Sequence, residues 1–180
     1  MKSIQYFLGL IIFCITYTST QAQNAQYPVV QNFGGIYEIP GSTNPDPDLE
    51  YNIVIDLKTL QQNKEEINPG LNNVARMMNL HGLGGVSSEN LNVVVVVHGG
   101  ATETILTGDG YRKKNGAEHP NLKLIQALID AEAEIYVCGQ SLISRGFEEK
   151  EVNHDVSIGL SMLTVVTEHM HKGYQLLVFD

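Results

Sequence analysis

The chain has 180 residues, with 11 Lys and Arg against 20 Asp and Glu and a formal net charge of −9 at pH 7. That length is enough for one domain with a proper hydrophobic core. An acidic chain with no basic stripe argues against nucleic acid and anionic lipid as partners.

Residues 1–22 read as a signal peptide. Lys2 supplies the positive start, and residues 6–17 carry Phe7, Leu8, Leu10, Ile11, Ile12 and Phe13. Small residues then lead to an expected cut after Ala22, which makes the protein periplasmic or secreted. The apolar run is shorter than the roughly 20 residues a spanning helix needs, so no membrane association is expected once the signal is removed. A buried N-terminal helix is the competing reading. A lipid anchor on Cys14 is disfavoured by bulky Phe13, where a small residue is wanted. Of the two cysteines, export leaves only Cys138, so an internal disulfide is excluded and stability must come from burial.

Residues 23–49 are polar and rich in turns, with Gly34-Gly35, Pro40-Gly41 and Asn44-Pro45-Asp46-Pro47-Asp48. They read as an arm, partly irregular, that lies across the domain or is in part disordered. The α/β domain is expected over residues 50–180. Residues 51–57 form a first strand. Asn68-Pro69 opens a helix, by a capping side chain and a first-turn proline, and Leu71, Val74, Ala75 and Met78 form its apolar stripe. Residues 93–97 are five consecutive valines, the signature of a strand covered on both faces of a parallel sheet.

After Gly99-Gly100, residues 101–118 read as a loop. A helix follows from Pro120, with Leu124, Leu128 and Ala131 inward, and then a strand at residues 134–138. A short turn or helix spans residues 141–146. Asp155 is expected to cap a long helix whose inner face is Val156, Leu160, Leu163, Thr167 and Met170, and Gly173 stops it. Residues 174–179 form a last strand, and a fifth is sought in residues 147–153 or in the arm. Strands alternating with helices predict a three-layer α/β/α domain with a mostly parallel sheet of about five strands.

Cys138 ends a strand where open α/β sheets gather their chemistry, and it is expected to open on solvent at that rim. A helix N-terminus beside it lowers a thiol pKa. The alternative is a buried, structural cysteine. His98 ends the valine strand and, as a neighbour, could share the thiol proton. It could equally cap a strand end by hydrogen bonding. Arg145 suits an anion or the thiolate, or is simply solvated.

No metal is expected, because His169 and His171 lie two apart on a helix and no zinc spacing exists. No cofactor is expected either. His81-Gly82-Leu83-Gly84-Gly85 follows a helix rather than a strand. Glu103 and Asp109 would repel a phosphate near Thr102, Thr104 and Thr107-Gly108. A serine-hydrolase elbow is lacking.

The valine strand with His98-Gly99-Gly100-Ala101, then Ile135-Tyr136-Val137-Cys138-Gly139-Gln140-Ser141-Leu142, resembles the DsrE/DsrF-like family. Leu160-Ser161-Met162-Leu163-Thr164 and Gly173-Tyr174-Gln175-Leu176-Leu177 continue the resemblance in order. It implies a compact, flavodoxin-like α/β/α domain assembled as a homotrimer or hexamer. In the sulfur-relay members a cysteine matching Cys138 accepts a persulfide sulfur and passes it to a partner. Carried over, Cys138 is the acceptor and Gly139, Gln140 and Ser141 form its loop. His98, Gly99, Gly100 and Arg145 complete the expected site. Relay members work in the cytoplasm, whereas this chain reads as exported. Two functions therefore stand side by side: an exported sulfur or thiol carrier with a donor or acceptor protein as partner, and a non-catalytic oligomeric module, binding a small ligand or protein, in which the cysteine only packs. Whether the protein is an enzyme is open at this point.

Overall fold

The computed structural model describes residues 23–180. The expected signal peptide and Cys14 lie outside the described residues.

Five strands, β1 (Tyr51–Leu57), β2 (Leu91–Val97), β3 (Glu134–Cys138), β4 (Ser157–Gly159) and β5 (Gln175–Phe179), form one sheet in the order β4-β3-β2-β1-β5. Every pairing is parallel. The valine run sits in the middle strand. There it is buried on both sides, which is why it shows no alternation.

Five α-helices complete the domain: α1 (Pro69–Leu83), α2 (Gly108–Asn115), α3 (Leu122–Asp130), α4 (Gly139–Arg145) and α5 (Met162–His171). Ile53, Ile55, Val93, Val95, Ile135 and Val137 face α1 and α3 in the larger core. Val54, Val94 and Val96 point to the other face, where Val165 and Val166 of α5 cover them. The sheet grows in one direction from β1 to β4, and its helices stay on one face. The chain then returns to the far edge for β5, so a right-handed crossover puts α5 on the opposite face. Adjacent strands β3 and β4 thus send the chain to opposite sides, and ligand sites of open α/β sheets form in the crevice beyond such a pair.

The capping expected at Asn68 is present: its side chain accepts from the Leu71 N–H at 3.0 Å. Three local readings are corrected. The fifth strand is residues 157–159, not residues 147–153 or the arm. The long helix begins at Met162, capped by Ser161, rather than after Asp155. Val156, Leu160 and Leu163 fit a helical stripe, but Gly159 packs so tightly that an added Cβ would lie 2.4 Å from Val165 Cγ2. That close approach of α5 needs an extended glycine below it. Residues 108–115, read as loop, form α2, with Thr107 accepting from the Gly110 N–H and Gly116 in the left-handed conformation at its end. Only Tyr111 and Gly110 of that helix are buried, so no apolar stripe advertised it.

The arm is pinned to α1. Asn79, fully buried, accepts from the N–H groups of Val29 and Val30 and donates to the carbonyls of Phe33 and Gly34. Gly34 has φ +61°, and its backbone lies against Ala75 and Arg76 with no room for a side chain.

Candidate functional site

Cys138 is the last residue of β3 and the residue before α4, and its partner in register is Gly159, the last residue of β4. It therefore stands in the crevice where the chain diverges to opposite faces. Side chains alternate along a strand, so Val137 enters the larger core while Cys138 turns toward α5. The residue is only 4% exposed, more covered than an open rim position.

Its surroundings are polar despite this. Burial pushes the thiol pKa up, but the Ser141 hydroxyl, the N–H groups of Met162 and Ser141, and the Ser161 hydroxyl all donate to the sulfur and together bring it below the ordinary cysteine value. Met162 is the first residue of α5, so the sulfur faces the positive end of that helix. The sequence suggested one helix N-terminus beside the thiol. The second, from α5, was hidden because the helix start was misplaced.

His98 follows β2 with extended backbone and donates its N–H to the Leu57 carbonyl at 3.0 Å. It lies one position beyond Val97, as Cys138 lies one beyond Val137, and Val97 and Val137 are register partners. The two side chains are thus on the same face of neighbouring strands. His98 is nevertheless not among the groups that hold the sulfur. Its Nε2 lies 2.5 Å from Asp56 Oδ1, and both side chains are 17% exposed. Asp56 was missed in the sequence, where it reads as a polar residue near a strand end. Its partner is 42 positions away.

The other expected residues divide. Ser141 touches both the sulfur and the Gly99 N–H, from which its Oγ accepts at 3.3 Å. Gly99 has φ +54°, which lets the chain turn sharply after His98. At Gly100 an added Cβ would lie 3.1 Å from the Lys58 carbonyl. At Gly139 it would lie 3.0 Å from the Gly159 carbonyl, so this glycine lets α4 start against β4. Gln140 is exposed and donates to the Leu160 carbonyl at 3.4 Å, across the mouth of the crevice. Arg145 is exposed at the far end of α4; the Lys64 ammonium is disfavoured first by desolvation and then by the charges of Arg145 and Lys114. Arg145 is not among the groups that hold the sulfur. Among the described residues no three His, Cys, Asp or Glu side chains gather as a metal ion would need.

The comparisons agree with this architecture. The sequence model of the DsrE/DsrF-like family matches residues 53–179. No curated protein matches the chain. Among solved structures, the chain is similar to MTH1491, a protein of unknown function from Methanobacterium thermoautotrophicum, with a TM-score of 0.54 and 14% identity, covering 72% of this chain and 100% of that one. It is also similar to the ychN protein from E. coli, with a TM-score of 0.49 and 14% identity over 73% of this chain and 100% of that one. At such identity the first likeness speaks to the fold alone. Because the family's sequence pattern spans all five strands and the crevice at Cys138, this chain belongs to the DsrE/DsrF-like family.

Proposed function

We propose that the protein is an exported carrier of sulfane sulfur on Cys138. The observation that carries this reading is the placement of Cys138 at the end of β3, beside Gly159 of β4 and against the start of α4, where hydrogen bonding from Ser141, Met162 and Ser161 brings the thiol below its ordinary pKa despite burial. The thiolate attacks the outer sulfur of a persulfide, R–S–SH. A bond forms between Sγ and that sulfur, the donor's S–S bond breaks, and the electron pair leaves on R–S⁻. His98, on the neighbouring strand, takes the proton that the Cys138 thiol gives up. A second thiol then removes the carried sulfur by the same exchange.

Assembly into a homo-oligomer fits this reading. Leu163 and Met170 on α5, with Leu176 and Val178 on β5, leave an apolar strip exposed on one face. Loading with glutathione persulfide tests the function. Intact mass of the native protein is expected to gain one sulfur atom at Cys138, and the C138S variant none. A native protein that gains nothing would overturn the proposal.

The near-complete burial of Cys138 favours a second reading, a non-catalytic module in which the cysteine packs. Absence of loading, together with unchanged assembly in C138S, is its expected result.

A further inference from the structure

We propose that Asp56 is a positioning residue for His98, holding the imidazole so that it protonates the thiolate expelled when Cys138 attacks a sulfur–sulfur bond. This deepens the carrier reading and rests on it for its biological use.

Asp56 sits where packing alone does not call for a carboxylate. It is on β1, in register with Val96 of β2 and on the face occupied by Val54, Val94, Val96, Val165 and Val166. A half-buried carboxylate among valines loses hydration and needs a partner to offset that cost. The partner is His98, at 2.5 Å from Nε2 to Oδ1.

A carboxylate accepts only, so Nε2 must carry a proton. This fixes the ring's tautomer and leaves Nδ1 as the nitrogen that can exchange a proton with another group. Asp56 on β1, His98 just past the end of β2 and Cys138 at the end of β3 then lie on one face of three neighbouring strands, with Asp56 two positions further back in register.

The proton accounting closes without an outside reagent. The Cys138 thiol passes its proton to Nδ1, giving an imidazolium steadied by the Asp56 carboxylate. Attack forms the new bond at Sγ and expels R–S⁻. That anion takes the Nδ1 proton and leaves as R–SH, returning a neutral His98 with Nε2–H still on Asp56.

The test compares two disulfides that differ in their leaving thiol. Glutathione disulfide expels a basic thiolate that gains from protonation, whereas dithiobis(nitrobenzoate) expels an acidic aryl thiolate that leaves without it. D56N is expected to slow exchange of Cys138 with glutathione disulfide about tenfold or more while changing the aryl reaction by less than about twofold. D56E is expected to recover most of the loss. Equal slowing of both reactions, or slowing of neither, would overturn the proposal. If D56N does not fold, nitrogen NMR of His98 in the native protein decides: a proton on Nε2 supports the pairing and one on Nδ1 refutes it. A protein that shows the selective defect yet takes up no persulfide sulfur keeps this inference and loses the carrier reading, so the two failures are separable.

Discussion

Ser161 accepts a hydrogen bond from the Leu163 N–H at 3.2 Å, and hydrogen bonding from its side chain is one of the causes that hold the Cys138 thiol below its ordinary pKa. Ser141 repeats the arrangement, accepting from the Gly99 N–H at 3.3 Å and donating to the same sulfur.

Removing either hydroxyl takes away a bond made to the charged form. S141A and S161A are each expected to raise the thiol pKa and slow iodoacetamide labelling of the native protein near neutral pH about tenfold. S161A also removes the cap of α5 and should cost about 1 kcal/mol in urea unfolding, which S141A should not.

His119 predicts a loss of stability in mild acid. It is buried, stacked on Tyr111 with ring centroids 4.2 Å apart, and its Nδ1 accepts from the Asn121 N–H. Burial pulls its pKa down to about 4, against smaller opposing pulls from the carbonyls of Leu106 and Thr104. Below the unfolded value of 6.5 the unfolded chain binds a proton that the folded chain refuses. The stability held above that pH is therefore lost as pH falls through about 4, by at most about 3 kcal/mol. Urea unfolding across this range should show the slope in the native protein and not in H119F.

The sheet was legible in the sequence because its strands are short, apolar and bounded by glycine, as the valine run shows. The crevice was half legible. Cys138 and Ser141 follow one another in the chain, whereas Ser161, Met162 and Asp56 reach the site from other strands and helices. The α5 start was misread because Val156, Leu160 and Leu163 satisfy helical spacing even though Gly159 is held extended by its contact with Val165. A three-residue edge strand carries too little pattern to compete with that spacing.

Asn79 is the arm's main hydrogen-bonded anchor on α1, beside Asn72, which accepts from the Gly34 N–H at 2.9 Å. N79A strands the Val29 and Val30 N–H groups and the Phe33 and Gly34 carbonyls at once, all of them bonded to Asn79. It is expected to cost about 3 kcal/mol and to open residues 23–49 to limited proteolysis before the rest of the domain unfolds.

The apolar strip on α5 and β5 makes assembly measurable. Val178 is 49% exposed on the edge strand, on the same face as Val54 and Asp56. Native protein is expected to sediment as more than one chain, and V178K to shift that equilibrium toward the single chain by about tenfold or more. A native protein that sediments as one chain at all concentrations would contradict the assembly.

The most direct measurement is the pH dependence of iodoacetamide alkylation at Cys138, followed by intact mass in the folded protein and again in urea. The donor shell predicts a folded midpoint below that of the same cysteine in the unfolded chain. A folded midpoint at or above the unfolded one would mean that burial outweighs the hydrogen bonds, and Cys138 would then be a packing residue rather than a nucleophile.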